Sequence, residues 1–442
     1  MTPAGGHGSK ARAGSAGRAG VPALPLHLAK PIIHRAELEA RLDLWAPVTM
    51  VRGKQGLGKT VLVASWLDRQ PDDAVVPVWL RAGDRPDDLQ SWMDLLDQAF
   101  TAAGLTFSDP GFGAAEGVRV VLVVDDFDAV HDPATLRRLL QLATTSPGFH
   151  LVVGYRRRHP IEALATRSME AQTIRPDDLA LDPSEVVELA RVIGKPMTAE
   201  EAETLQPAFG GWIAPIRLAI EASAGGILPL RAADDYLQVA ALQTFADHQL
   251  PEQLMRFALT EPIGRALFRD LSDVAEPDRA FNGLEATGLA RRRYGEGEPG
   301  LAPPALTLPA AIRAAIGDLY TERHPQEAPG FHRRLARWYL DHDQPGDEVA
   351  AIHHAVLGDD WETAEAIWFH HGTSLMMQPA GTFGELLESI PGEVLEGYPS
   401  VAIFRRAMSI AGDDSDLDGR MATVRSYYEA SSQVLATLTT PG

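Results

Sequence analysis

The chain has 442 residues, with 40 lysines and arginines against 60 aspartates and glutamates, and it contains no cysteine. The formal net charge of −20 argues against direct DNA binding, which needs a basic face. The lack of cysteine excludes disulfides and thiolate metal sites and favours a cytoplasmic protein. No apolar run approaches the roughly 20 residues of a membrane span, so we expect no membrane partner.

The first part of the chain divides into a tail and a region of alternating pattern. Residues 1–22 contain mainly glycine, alanine and serine, which predicts a disordered tail; alternatively, its few basic residues contact a partner. Over residues 23–180, short apolar runs alternate with amphipathic stretches. This alternation predicts an α/β domain, a mostly parallel sheet with helices on both faces. The predicted strands are 47–51, 75–80, 119–124 and 149–154, and the predicted helices are 36–44, 59–68, 87–102, 133–144 and 161–168.

Helices dominate the remainder of the chain. The pattern over residues 181–228 predicts three helices. The pattern over residues 229–325 predicts short helices together with a candidate strand pair near 288–308. The pattern over residues 326–442 predicts short amphipathic helices separated by glycine or proline, which is typical of helical repeats. We interpret the aromatic residues of this last segment as core residues rather than as a ligand-binding box.

A glycine-rich motif follows the first predicted strand. Residues 53–60 fit the pattern G-x-x-x-x-G-K-[ST], and a strand before it and a helix after it are the context that this phosphate loop requires. The backbone N–H groups of the loop and the dipole of the following helix favour phosphate binding. The lysine would reach the β- and γ-phosphates, and the threonine would ligate Mg²⁺. The alternative is a glycine-rich turn with a chance lysine. The predicted nucleotide-binding residues are Gly53, Lys54, Gln55, Gly56, Leu57, Gly58, Lys59 and Thr60.

A second motif places two carboxylates after five apolar residues, 120–124. It predicts a buried strand whose acids lie at the carboxyl edge, where open α/β sheets bind ligands. Asp125 is the candidate Mg²⁺ ligand, and Asp126 is the candidate catalytic residue that positions or polarises the attacking water. The alternative is a pair that caps the next helix. Because a strand–helix unit separates the two motifs, we do not expect their strands to be neighbours.

A third candidate follows the fourth predicted strand. Arg156 is placed to sense the γ-phosphate or to stabilise charge that develops on it. It is the first of three arginines, so Arg157 and Arg158 are alternatives, and Asp177 and Asp178 are possible ion-pair partners. The histidine pairs of the chain lack the i, i+4 spacing of metal ligands, which leaves Thr60 and Asp125 as the predicted metal ligands.

These motifs resemble those of a known protein class. The chain resembles the ATP-binding regulators typified by the maltose-regulon activator and the large LuxR-type proteins, which belong to the signal-transducing ATPases with numerous domains (STAND). The resemblance runs from about residue 31 to at least residue 371. After the phosphate loop its most specific part is AAIHHAVLGDDWETAEAIW, which resembles the first helical repeats of the family. The other matching segments are 51–67, 76–100, 122–130, 151–160, 177–190, 210–220 and 331–340.

The resemblance implies an ATP/ADP switch. In such proteins the ADP-bound form is closed, and ATP with an inducer sensed by the repeats opens the protein to self-association. It implies that Arg156 is the sensor arginine and that a lid proline, here Pro215, contacts adenine. The implied domains are an ATPase domain at 23–180, a helical lid at 181–228, a winged-helix-like domain at 229–325 and TPR-like repeats at 326–442.

The sequence departs from the family pattern at three points. Ile213 follows Trp212 where the family has proline, so that the nearest proline is Pro215. Leu308 stands where the family has a histidine that reads bound diphosphate, and leucine cannot donate to phosphate. No helix-turn-helix signature follows the repeats, so we expect DNA binding, if any, to come from a partner or from a missing segment.

Three functions fit these observations. The first is a nucleotide-dependent regulatory switch with slow ATP hydrolysis, whose repeats sense an inducer or a protein. The second is an interaction scaffold that nucleotide stabilises without turnover, which the displaced proline and missing histidine favour. The third is a P-loop ATPase or phosphotransferase of another kind, although no separate substrate-binding motif is found. We prefer the first.

Overall fold

The computed structural model describes residues 32–405 and residue 425, except 72–73, 84–87, 109–110, 114–117, 225–228, 294–304, 343–345, 377, 379–382, 399–400 and 404. The predicted tail at residues 1–22 lies outside the described residues. The chain divides into two compact units, Met1–Pro229 and Leu230–Gly442. No helix in the described ranges combines the length and apolar character needed to cross a membrane.

The first unit is built on a five-stranded parallel sheet with the order β2-β5-β6-β1-β7. β6 separates β1, which precedes the phosphate-loop motif, from β5, which ends at Asp125, as the intervening strand–helix unit led us to expect. The short strands β3 and β4 pair separately as an antiparallel ribbon. The strands are β1 (Val48–Arg52), β2 (Val75–Arg81), β3 (Thr106–Ser108), β4 (Gly111–Gly113), β5 (Arg119–Asp125), β6 (Phe149–Tyr155) and β7 (Ala171–Ile174).

Helices connect these strands and continue beyond the sheet. Asp132, Asp182 and Thr198 accept backbone N–H bonds at the starts of the fourth, seventh and eighth helices, and such caps contribute about 1 kcal/mol each. The helices are α1 (Ala36–Leu42), α2 (Lys59–Asp68), α3 (Leu89–Ala102), α4 (Pro133–Thr145), α5 (Pro160–Ser168), α6 (Pro176–Leu179), α7 (Pro183–Ile193), α8 (Ala199–Phe209) and α9 (Ile213–Ala222).

Most of these elements begin and end within two residues of their predicted bounds. The helix predicted at 59–68 is α2, and the strand predicted at 119–124 extends one residue further. β7 and the β3–β4 ribbon were not predicted. β7 reads Ala-Gln-Thr-Ile with only Ile174 buried, so it lacks the apolar run that identifies a central strand.

β5 lies in the centre of the core. Its side chains from Val120 to Val124 are at most 3% exposed. Those of Val120, Leu122 and Val124 join one cluster with Trp92 of α3 and Leu136 of α4. Burial of a valine or leucine side chain contributes roughly 1.5–3 kcal/mol, so this packing fixes the strand and the position of the carboxylates that follow it.

Arg35 joins the segment before α1 to the beginning of the helices that follow the sheet. Its guanidinium donates to the carbonyl oxygens of Leu179 at 2.5 Å and Ala180 at 3.1 Å. It also forms a bidentate pair with Glu185 of α7, with both N–O distances 2.8 Å. A planar guanidinium suits such bidentate contacts, and this one anchors the start of α7 to the segment before α1.

The second unit contains a three-stranded antiparallel sheet in the order β8-β10-β9, with two helices between β8 and β9. β9 and β10 are the strand pair predicted near 288–308, and β8 was not predicted. The strands are β8 (Ile263–Gly264), β9 (Arg291–Arg293) and β10 (Ala305–Thr307). The helices are α10 (Asp234–Asp247), α11 (Arg265–Leu271), α12 (Pro277–Ala286), α13 (Ala310–Arg323), α14 (Ala328–His342), α15 (Asp347–Leu357), α16 (Trp361–Met376), α17 (Gly384–Glu388) and α18 (Gly392–Gly397).

Successive helices α14, α15 and α16 pack against one another. Of the aromatic residues interpreted as core, Tyr339 and Trp368 are buried. Trp338 and Trp361 are partly exposed, and the Trp338 indole N–H donates to Asp270 at 2.9 Å. The core interpretation is therefore correct for two of these four residues, because the other two keep part of their surface exposed.

Two histidines meet inside the α14–α15 contact. The Nδ1 atoms of His332 and His354 lie 3.0 Å apart, and both side chains are buried. Burial lowers the pKa of His332 to about 4 and holds the pKa of His354 well below its usual value. Neutral imidazoles are therefore part of the packed helix pair.

This pair should make the protein acid-labile. The unfolded chain has histidine pKa values near 6.5, so it binds more protons than the folded chain as the pH falls from 6.5 towards 4, and stability falls with it. Between pH 7 and 4.5 we expect His332 alone to account for about 2–3 kcal/mol. Urea unfolding at both pH values should show a smaller acid loss for the His332→Leu/His354→Leu double variant. An exposed-site control, His370→Leu, should keep the loss of the parent, and an equal loss in all three proteins would contradict this assignment.

Candidate functional site

The candidate site lies at the carboxyl edge of the first unit's sheet, where residues 53–58 join β1 to α2. Strand, loop and helix form the phosphate-loop supersecondary unit. Gly56 and Gly58 have φ angles of +75° and +87°, a left-handed conformation that glycine adopts without strain. A Cβ at Gly58 would also lie 2.7 Å from the Ile213 side chain. The loop therefore needs glycine at both positions.

Lys59 begins α2, and its side chain folds back over the loop. Its Nζ donates to the carbonyl oxygens of Gly53 at 2.6 Å and Lys54 at 3.2 Å. Burial lowers the pKa of this amine, while the nearby carboxylate of Asp125 opposes the shift. A buried ammonium favours an anionic ligand, because burial of a charge is costly unless a partner compensates it.

Thr60 and Asp125 join the loop to β5. The Thr60 hydroxyl donates to Asp125 Oδ2 at 2.8 Å. To make this bond, the Asp125 side chain crosses β6 at Gly154, where a Cβ would lie only 3.0 Å from Asp125 Oδ1. Glycine at this point of β6 therefore leaves the space that the carboxylate occupies. The sequence contained Gly154, but its role depends on the strand order.

Asp126 lies between two guanidinium groups at the same edge. Its Oδ2 accepts from Arg81 Nε at 2.6 Å, and its Oδ1 lies 3.7 Å from Arg156 Nη2. The alternative interpretation, a carboxylate pair that caps the helix near 133, is wrong because Asp132 caps α4. Asp126 has φ +53°, an uncommon conformation for a residue other than glycine.

Asp128 fixes the segment that carries the candidate sensor arginine. Its carboxylate accepts the backbone N–H groups of Arg156 at 2.8 Å and Arg157 at 3.1 Å. The Arg156 side chain faces Asp126 and Asp128, whereas Asp178, a predicted partner, pairs with Arg41 at 3.1 Å. Asp128 was not predicted from the sequence, because its two partners lie 28 and 29 residues further along the chain.

The segment that leads into α9 lies directly on the phosphate loop. The Trp212 indole N–H donates to the Gln55 carbonyl at 2.9 Å, and the Ala214 N–H donates to the Gly56 carbonyl at 3.1 Å. Pro215, the residue expected to contact adenine, is buried in the first turn of α9. The structure thus brings the loop, Asp125, Asp126 and Arg156 together with contacts from Trp212 and Ala214 that the sequence did not reveal.

The residues at this edge suit a nucleotide phosphate chain with Mg²⁺. The part of the chain that the structure describes holds no group of three or more His, Cys, Asp or Glu side chains able to bind a metal. Mg²⁺ usually takes one or two protein oxygens and completes its shell with phosphates and water. The Thr60 hydroxyl and Asp125 carboxylate are such oxygens, already in contact with each other.

Comparison with known proteins gave structural likenesses but no family assignment. No protein-family model matches the sequence, and the search of curated proteins gave no match. The chain is similar to a Walker-type ATPase of Pyrococcus abyssi, with TM-score 0.42, 12% identity, and coverage of 64% of this chain and 96% of that one. It is also similar to a Pyrococcus horikoshii STAND protein with a tetratricopeptide repeat sensor, with TM-score 0.33, 16% identity and 90% of this chain covered.

A third likeness is to Drosophila ORC bound to DNA, with TM-score 0.28, 15% identity, and coverage of 67% of this chain and 96% of that one. The chain spans 58% of the length of the Pyrococcus horikoshii protein. These TM-scores are too low to support a functional conclusion.

Asp128→Ala should loosen the sensor segment. The change removes the shared acceptor of two backbone N–H groups, so we expect the free energy of unfolding to fall by about 2–3 kcal/mol and the amides of Arg156 and Arg157 to exchange faster. Urea unfolding and hydrogen exchange measure the two effects. Asp132→Ala is the control, because it removes a carboxylate of the same unit that accepts the Thr135 N–H and caps α4. Equal exchange at Arg156 and Arg157 in the two variants would contradict the role of Asp128.

Proposed function

We propose that this chain is an ATP-binding, slowly hydrolysing switch. The observation that carries the proposal is the Thr60–Asp125 hydrogen bond beside the buried Lys59 amine, because it joins a phosphate loop to a metal-ligating carboxylate at one sheet edge. Gly53, Gly56 and Gly58 support phosphate binding through their backbone. The choice of adenine over guanine rests on resemblance to STAND regulators.

Each polar residue at the edge has a role in this proposal. Lys59 binds the β- and γ-phosphates, and Thr60 and Asp125 hold Mg²⁺, which when bound neutralises charge on those phosphates. Asp126 orients a water for attack and accepts its proton. Arg156 distinguishes ATP from ADP by contacting the terminal phosphate. Asp128 positions Arg156 through the backbone.

The remainder of the chain supplies the regulatory part of the proposal. Helices α7 to α9 serve as a lid, the β8-β10-β9 sheet with α11 and α12 serves as a winged-helix domain, and α14 to α16 serve as TPR-like repeats that sense an inducer or a protein. ATP favours a self-associating state by its differential affinity. Because the chain is acidic, promoter binding would belong to a partner.

A second candidate is a nucleotide-stabilised scaffold without turnover. Leu308 favours it, since this residue is 8% exposed and lines an apolar cavity of the second unit with Ile316 and Phe257. Leucine in this position belongs to the core and offers no donor to a diphosphate. A closed ADP-bound state would then lack one of its contacts.

The test is calorimetric titration of the chain with ATP and ADP, with and without Mg²⁺, while light scattering follows its mass. We expect both nucleotides to bind and ATP alone to increase the mass. Lys59→Ala should weaken binding more than about a hundredfold, because charge-assisted bonds to phosphate are lost. Lys195→Ala, which removes a lysine bonded to the Ser223 carbonyl, is the control and should bind as the parent does.

The outcomes separate the candidates. Nucleotide binding with constant mass and no phosphate release would favour the scaffold. If Lys59→Ala binds ATP with parent affinity, the phosphate-loop assignment is wrong.

Arg156→Ala should narrow the preference for ATP over ADP. Loss of one guanidinium–phosphate contact predicts roughly a tenfold smaller ratio of the two dissociation constants. Titration of both nucleotides measures this ratio. The exposed Arg158 provides the matched variant, Arg158→Ala, which should keep the parent ratio. An unchanged ratio in Arg156→Ala, with a reduced one in Arg158→Ala, would transfer the sensing role to Arg158.

A further inference from the structure

Trp212 is one of the largest fully buried side chains of the protein, at 1% exposure. It lies where the lid meets the phosphate loop, and its indole N–H donates to the Gln55 carbonyl at 2.9 Å. Two residues later, the Ala214 N–H donates to the Gly56 carbonyl at 3.1 Å. The lid therefore binds two successive peptide groups at the tip of the loop.

These bonds set the direction of a loop amide. In a trans peptide the C=O and N–H groups point to opposite sides of the chain. The Gln55 carbonyl shares its peptide group with the Gly56 N–H, so a carbonyl bound to Trp212 turns that N–H away from the lid. Gly56 has φ +75°, and a glycine without this restraint has a wide choice of conformations.

Lys54 reinforces the same contact. Its Nζ lies 3.8 Å from the centroid of the Trp212 ring, within the range of a cation–π interaction. The ammonium of this second loop lysine therefore rests against the lid, while Lys59 Nζ lies over the loop carbonyls. The two lysines of the loop thus have separate tasks.

We propose that Trp212 is a positioning residue for the phosphate loop: it orients the Gly56 amide towards the phosphates and ties α9 to the loop. This rests on the proposed nucleotide function. Phosphates then meet a loop whose amides are already ordered, and part of the ordering cost of binding is removed. A displacement of the loop on phosphate binding is passed to α9 through the Gln55 carbonyl.

The decisive variant is Trp212→Phe, which keeps an aromatic ring for Lys54 and removes the indole N–H. Its matched control is Trp66→Phe. Trp66 is 2% exposed, lies on α2 and loses an indole bond to the Asp43 carboxylate at 2.7 Å, away from the loop. Both variants are made in the full chain and compared after confirming by circular dichroism that they are folded.

Two measurements apply to each protein. Hydrogen exchange by mass spectrometry, without nucleotide, follows peptides that cover residues 53–60 and 210–216. Calorimetry follows ATP and ADP binding. For Trp212→Phe we expect faster exchange in both peptides and roughly five- to tenfold weaker binding of both nucleotides, the effect of one lost buried hydrogen bond. For Trp66→Phe we expect parent exchange in both peptides and parent affinity.

Each outcome has a distinct meaning. If Trp212→Phe exchanges and binds as Trp66→Phe does, Trp212 has only a packing role and the inference is overturned. If the parent fails to bind either nucleotide, the proposed function is wrong, and the exchange data alone decide whether Trp212 orders the loop. Should Trp212→Phe lose affinity without faster exchange at 53–60, the loss would not arise from loop order and the inference also fails.

Discussion

The hydrogen bond from the Thr60 hydroxyl to Asp125 Oδ2 is the interaction on which the site depends. It joins α2 to the end of β5, although β6 lies between β5 and β1 in the sheet. The bond therefore requires the strand order, the buried apolar run of β5 and a glycine at position 154. A Cβ at that position would lie 3.0 Å from Asp125 Oδ1, so the carboxylate would have to shift from the place where it accepts the Thr60 bond.

Local patterns predicted the elements that carry this bond. The apolar run of β5 is a property of a short segment and predicts the burial of that strand. The loop glycines before α2 likewise predict the positive φ angles found at Gly56 and Gly58. The roles of Asp128 and Gly154 were not predictable in this way, because their partners come from another strand. β7 was missed for a related reason: only one of its side chains is buried, and its pairing with β1 defines it.

Helix α9 shows why a resemblance can describe a segment without describing its contacts. The resemblance implies that Pro215 contacts the adenine base, yet in this chain Pro215 is buried in α9. Ile213, which stands where the family has proline, places its Cδ1 against Gly58. A proline side chain at 213 is too short to extend as far as Ile213 Cδ1 does. Gly58, which has no side chain, leaves the space that this Cδ1 occupies. The replacement at 213 and the loop conformation therefore fit each other.

The segment from α7 to α9 is held at two points that differ in chemistry. At its start, Arg35 from the segment before α1 binds Leu179 and Glu185, and the arginine side chain is 10% exposed. At its end, Trp212 binds the loop itself. The Arg35 contacts lie outside the phosphate loop, whereas Trp212 binds the carbonyl oxygen of Gln55, a residue of the loop. In the proposed switch, a ligand in the loop therefore acts on the start of α9 through the Gln55 carbonyl, whereas the Arg35 contacts at the start of α7 lie outside the loop.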